Sequence, residues 1–209
     1  MYPHACYFPT LTIFIDDKQE FLDSLLFRLR SPFHYYKFFS NPEEAVYYIK
    51  NNYQKANWFF NYIASLEEEK NNQKLIEINL SDLHKHVHNE ERFDIITSVL
   101  IDYDMPEWTG LDVARELNGL NLRRILLTGA ADEKLAVNAF NMNLIDGFIP
   151  KSSDNIYEEI EQKINEGKNF YFSELSKKIL PSYWFMKERL INSIPELEIR
   201  DSRILYIGK

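Results

Sequence analysis

Four apolar runs in this chain end on residues that can do chemistry. Ile13-Phe14-Ile15 runs into Asp16-Asp17, and Val99-Leu100-Ile101 runs into Asp102-Tyr103-Asp104-Met105-Pro106, closed by Gly110. Ile125-Leu126-Leu127 ends on Thr128-Gly129, and Phe148-Ile149-Pro150 ends on Lys151. Carboxylates gathered at neighbouring strand ends repel one another unless a cation neutralises them, and a hard divalent ion such as Mg2+ takes oxygen ligands and keeps several waters. Asp17 is then expected as a direct ligand, Asp16 directly or through water, and the backbone carbonyl of Asp104 as a further ligand beside Asp102, with Mn2+ as the other candidate ion. A carboxylate in such surroundings can attack a phosphoryl group. That makes Asp102 the candidate nucleophile, Lys151 the partner of the phosphoryl oxygens and Thr128 a hydroxyl donor to one of them.

Each of these residues has a plainer reading when taken singly. Asp16-Asp17 would serve as a strand-end turn or helix cap, Thr128 as a turn hydroxyl and Lys151 as a solvated surface cation. Phe148 would fill core volume wherever the sheet needs it. Their order along the chain and their place after four separate apolar runs favour the joint reading.

The elements that must position them follow from hydrophobic patterning. Leu11 to Ile15 reads as a fully buried parallel strand, and Phe21, Leu22, Leu25, Leu26 and Leu29 then recur at helical spacing. Tyr35 to Phe39 predicts a second strand, and Ser40-Asn41-Pro42-Glu43-Glu44 supplies a cap, a first-turn proline and acidic residues for a helix starting near Pro42. Further strands are expected at Ile95–Ile101, Arg124–Leu127 and Gly147–Ile149, with helices at Gly110–Leu117, Asp132–Met142 and Asn155–Glu166. This alternation predicts an α/β, doubly wound, five-stranded parallel sheet of flavodoxin-like order 2-1-3-4-5. Ligands bind such sheets outside the carboxyl ends of the strands, so Asp16, Asp17 and Asp102 should meet at the mouth, flanked by Thr128 and Lys151.

Two stretches exceed what five units need. Between Ser40 and Asp94 lies far more chain than one helix and a loop require, and an insertion of helical or hairpin type is expected at about residues 52–92, including Trp58-Phe59-Phe60-Asn61-Tyr62-Ile63 and Leu75–Leu83. After the main domain, residues 1–167, an extension over 168–209 should hold an amphipathic, aromatic helix broken at Pro181 and a strand at Ile199–Ile207. Packing on the domain, dimerisation and the start of an output domain are all roles open to it. His84, His86 and His88 alternate, but a mixed polar loop explains them better than a metal site.

Composition limits the function classes. With 24 basic and 32 acidic residues the net charge is −8, the opposite of the basic face that non-specific nucleic-acid binding needs, so no direct nucleic-acid binding is expected. No apolar run approaches the length of a membrane span and no secretory signal pattern opens the chain. A lone Cys6 forms no internal disulfide, which fits a cytoplasmic location. Only 6 glycines are present, and none is arranged as a nucleotide-phosphate loop, which counts against a metal-dependent glycosyl or nucleotidyl transferase using Asp102 and Asp104.

With these residues in view, the chain resembles a response-regulator receiver domain of two-component signalling. The resemblance rests on Asp16-Asp17, on Asp102 with Met105-Pro106 and Gly110 in register, on Thr128, and on Phe148 three positions before Lys151. It implies that a sensor histidine kinase or histidine phosphotransfer protein donates phosphate to Asp102 with Mg2+. Thr128 and Phe148 would then switch the surface of the fourth helix, fifth strand and fifth helix, where such domains often dimerise. It also implies a self-phosphorylating and slowly self-dephosphorylating switch rather than an enzyme. The chain departs from the family in having Ser152 after the lysine, where proline is common, and Pro150 before it; Asp104 adds a carboxylate at the rim. The rival reading is a Mg-dependent phosphatase or phosphotransferase of haloacid-dehalogenase type, with Asp102 as nucleophile and Asp104 as general acid/base. In those enzymes the paired acidic residues follow the lysine, whereas Asp16-Asp17 come first. A receiver-like interaction module without phosphorylation is a further alternative, to which the complete acceptor set lends little support.

Overall fold

The computed structural model describes residues 9–29, 34–56, 93–129 and 132–193. Most of the expected insertion, the alternating histidines, Cys6 and the expected strand at Ile199–Ile207 lie outside the described residues. Strands β1 (Thr10–Ile15), β2 (His34–Phe39), β3 (Ile96–Asp102), β4 (Arg123–Thr128) and β5 (Gly147–Pro150) alternate with helices α1 (Gln19–Arg28), α2 (Pro42–Ala56), α3 (Gly110–Glu116), α4 (Glu133–Asn141) and α5 (Ile156–Ser193). All strand pairs are parallel and the order is β2-β1-β3-β4-β5, as the alternation predicts.

Both faces of the sheet are covered, and the apolar runs Ile13–Ile15, Val99–Ile101 and Ile125–Leu127 of the three central strands are wholly buried. Ile13, Ile15, Val99, Ile101 and Leu126 pack on one face with Ala45, Val46 and Ile49 of α2, Val113 and Ala114 of α3, and Ala136 and Ala139 of α4. Phe14, Leu100, Ile125, Leu127 and Ile149 pack on the other with Leu22 and Leu25 of α1, Leu29 just beyond it, and Ile156, Ile160 and Ile164 of α5. Each strand therefore sends alternate side chains into two separate cores, and a slip of one residue would exchange them. Helix α2 begins at Pro42 as expected, with the Asn41 side chain accepting the Glu44 backbone N–H at 2.9 Å.

Two expectations are corrected. Leu26 shares the helical spacing of α1's apolar residues but is 60% exposed: Leu22, Leu25 and Leu29 complete one face, and the next residue falls about 100° round the helix. The final helix does not break at Pro181. It runs 38 residues from Ile156 to Ser193: an interior proline costs a helix one hydrogen bond and a ring clash with the preceding turn, a penalty that can kink a helix without ending it. No helix among the described residues is long and apolar enough to cross a membrane.

Helix α5 crosses β3 at very short range, and Gly167 makes this approach feasible. A Cβ at Gly167 would collide with Ser98 Oγ and lie 3.3 Å from the Thr97 carbonyl oxygen. Ser98 Oγ is itself buried without a hydrogen-bond partner among the described residues. Alanine normally stabilises a helix relative to glycine; here Gly167→Ala is expected to destabilise the fold by about 1–3 kcal/mol through overpacking. Thermal unfolding checks the sign, and adding Ser98→Ala, which removes the colliding hydroxyl, should recover most of the loss.

Candidate functional site

The pocket lies at the carboxyl end of the sheet, where the chain leaves β1 and β3 side by side. Ile15 is in register with Ile101, so the residues that follow, Asp16 and Asp102, stand next to each other. On the far side Asp102 is in register with Leu127 and Thr128 with Pro150, which brings Thr128 and then Lys151 to the same rim. Three short backbone bonds fix these tips: Asp16 N–H donates to the Phe39 carbonyl at 3.1 Å, Tyr103 N–H to Leu127 at 2.9 Å, and Lys151 N–H to Thr128 at 2.8 Å.

Helix α3 starts directly against the end of β3. Gly110 donates its N–H to the Tyr103 carbonyl at 2.9 Å, and a Cβ there would collide with the Asp102 carbonyl oxygen and come within 2.7 Å of Leu126 Cδ1. The glycine is thus required by close approach rather than by its own dihedrals. Thr109 caps the helix in a reciprocal capping box with Asp112. Between β3 and α3, Glu107 adopts φ 66°, a left-handed conformation that is uncommon for a non-glycine residue.

The side chains meet as the sequence predicts. Asp16, Asp17 and Asp102 each offer a carboxylate oxygen, and these oxygens all lie within 4.8 Å of one another. Asp16 is 1% exposed and Asp102 2%. The Lys151 ammonium bridges two of the three, 2.5 Å from Asp16 Oδ2 and 2.9 Å from Asp102 Oδ1. The other oxygen of Asp16 accepts the Lys18 backbone N–H at 3.0 Å. Thr128 is fully buried at the end of β4, and Phe148 is half-buried against the core shared with α4. Asp104 has an exposed side chain outside the carboxylate group, and its main chain bridges to Thr109. No cis peptide bond occurs among the described residues, Lys151–Ser152 included.

Two residues of the site carried no distinctive sequence signal. Lys18 contributes a backbone donor, which any residue but proline could supply. Phe21 reads from spacing as an ordinary core position of α1, yet its ring lies 4.7 Å from Lys151 Nζ.

The electrostatics are those of an under-neutralised acidic pocket. Burial pushes the Asp102 carboxyl above the ordinary carboxylate range, Asp16 adds to the rise, and Lys151 and Lys18 oppose it. Asp17 Oδ1, Asp102 Oδ2 and Thr128 Oγ1 are buried with no hydrogen-bond partner among the described residues. Such orphaned oxygens are rare in folded proteins. An all-oxygen donor set with uncommitted carboxylate atoms fits a hard divalent cation, and the uncommitted Thr128 hydroxyl is free to donate to an anion.

A carboxyl whose pKa rises on folding costs stability progressively as pH climbs from its unfolded towards its folded value. The neutral isostere escapes this cost. Asp102→Asn is therefore expected to raise the thermal midpoint of the metal-free protein at pH 7, and to lose that advantage under acid conditions where wild-type Asp102 is protonated. Unfolding curves in chelator across pH check it; a variant less stable than wild type at pH 7 would contradict it.

No family model matches the sequence, and no curated protein matches it. Among solved structures, the response regulator LqsR of Legionella pneumophila is similar at TM-score 0.66 and 31% identity, covering 90% of this chain and 57% of its own. The present chain thus spans little more than half the length of that protein. An adenylate cyclase from Rhodopirellula baltica is similar at TM-score 0.56 and 19% identity, over 83% of this chain and 98% of its own. A signal receiver domain from Vibrio parahaemolyticus is similar at 0.52 and 12%, over 80% and 96%. At such identities the last two speak to the fold alone. Strand order, parallel register and these likenesses agree: the chain has the fold of a response-regulator receiver domain.

Proposed function

We propose that this domain is a phosphorylation-dependent signalling switch in which Asp102 accepts a phosphoryl group from a histidine kinase or histidine phosphotransfer protein. The observation that carries the reading is the group of Asp16, Asp17 and Asp102 at adjoining strand tips, with Lys151 bridging two of them and, among the described residues, no partner for Asp17 Oδ1, Asp102 Oδ2 or Thr128 Oγ1. A carboxylate oxygen of Asp102 forms the new bond to phosphorus, and the bond from phosphorus to the donor's imidazole nitrogen, or to acetate in a small donor, breaks with its electron pair leaving on the donor. When bound at the carboxylates, Mg2+ supplies positive charge against the phosphoryl oxygens. Asp17 and Asp102 would hold it through their uncommitted oxygens, with Asp16 and the Asp104 carbonyl as the other ligands. Lys151 moves from carboxylate to phosphoryl oxygen with its charge unchanged.

The product carries new charge and acceptors into a buried pocket. Thr128 Oγ1, buried at the end of β4 without a partner among the described residues, is a hydroxyl donor suited to them. Drawing it inward moves the loop into α4 and opens room that Phe148 can fill, which would alter the face made by α4, β5 and α5. Leu135, Val137, Phe140 and Met142 are exposed on or beside α4, a suitable surface for a protein partner or a second copy. The haloacid-dehalogenase reading needs Asp104 as general acid/base, and its exposed carboxylate outside the acidic group gives that role no support.

Incubation of the full chain with Mg2+ and acetyl phosphate, read by intact mass, tests the proposal. Wild type should gain one phosphoryl group, and Asp102→Asn none. Lys151→Ala should take up phosphate slowly if at all and leave the α4 region unaltered by hydrogen exchange. Persistent phosphorylation of the Asp102→Asn chain would defeat the assignment, and sustained turnover of an external phosphoester would restore the phosphatase reading.

A further inference from the structure

Lys151 is held by more than its two carboxylates. Its Nζ lies 4.7 Å from the centroid of the Phe21 ring, within the range in which an ammonium is attracted to an aromatic face. The lysine side chain is only 19% exposed, so the attraction acts in a largely desolvated setting, where it is strongest. Phe21 is itself fixed. It packs against the core under α1 and α5, and its backbone N–H donates to the Lys18 carbonyl at 3.0 Å, while the Lys18 N–H holds Asp16 Oδ1. One turn of chain thus sets both an anionic and an aromatic partner of the same ammonium. An aliphatic residue at position 21 would fill the core as well, but would exert no such pull.

We propose that Phe21 is a positioning residue whose ring holds the Lys151 ammonium over Asp16 and Asp102. While it stays there it neutralises the two carboxylates that a divalent cation must recruit, so the ring sets how readily Lys151 yields to the metal. This deepens the function proposed above and rests on it for its biological meaning; the geometry itself does not require phosphorylation.

The test uses the full chain. In the metal-free protein the Lys151 ε-methylene protons should be displaced in NMR by the ring current of Phe21, and Phe21→Leu should return them to the range of ordinary lysines. Titration with Mg2+ alone should then show roughly two- to five-fold tighter binding in Phe21→Leu. Replacement of Phe21 by pentafluorophenylalanine, similar in shape but with the ring's field reversed, should do the same, whereas Phe21→Tyr should match wild type. In a Lys151→Ala background none of these changes should alter Mg2+ affinity. Lys151 resonances that ignore the ring, or an effect of Phe21→Leu that persists without Lys151, would overturn the proposal. Failure of wild type to accept phosphate would instead sink the signalling reading, leaving the NMR comparison to decide the role of Phe21 by itself.

Discussion

Like charge at the end of a parallel sheet is the constraint on which the rest of this structure depends. Asp16, Asp17 and Asp102 come within 4.8 Å of one another, and two of them are almost wholly buried. Removing carboxylates from water at such range is unfavourable unless a cation accompanies them. Lys151 is that cation in the resting fold. It spans Asp16 and Asp102, which arrive from different strands, and so joins β1, β3 and the loop after β5 across the mouth of the sheet. One ammonium against three carboxylates leaves the pocket short of positive charge, a shortfall that the divalent ion of the proposed function would make good.

The scaffold keeps this arrangement from relaxing. Each central strand feeds two cores by alternate residues, so a one-residue slip would send every side chain into the opposite core, whose packing it does not match. Gly110 seats α3 against the end of β3, and Gly167 seats α5 against its start. At the other end of β4, Asp146 accepts from Arg123 at 2.8 Å and from the Arg124 backbone at 2.9 Å, tying the start of that strand to the loop before β5.

Much of this was legible beforehand for a physical reason. Buried parallel strands are built mainly of apolar runs, so the polar residue at which each run gives way to a turn marks the tip, and ligands gather at the tips. Asp16, Asp102, Thr128 and Lys151 were located in this way. What failed to show was whatever depends on surroundings. Leu26 fits the helical pattern yet faces water, because a pattern gives a stripe without its width. Pro181 looks like a stop, yet α5 continues through it, since one lost hydrogen bond does not outweigh a long run of helix-compatible residues on both sides.

The sequence by itself determined the alternation of strands and helices, the chemistry offered at each strand end and the acidic balance of the chain, because periodicity and residue type are local properties. Only the tertiary structure decided which of those ends touch: that Lys151 bridges Asp16 and Asp102 rather than facing solvent, that Asp104 is exposed and outside the carboxylate group, and that Phe21 of the core stripe lies against the ammonium. These are distances between residues far apart in the chain, set by strand order, register and helix packing together, and no single segment encodes them.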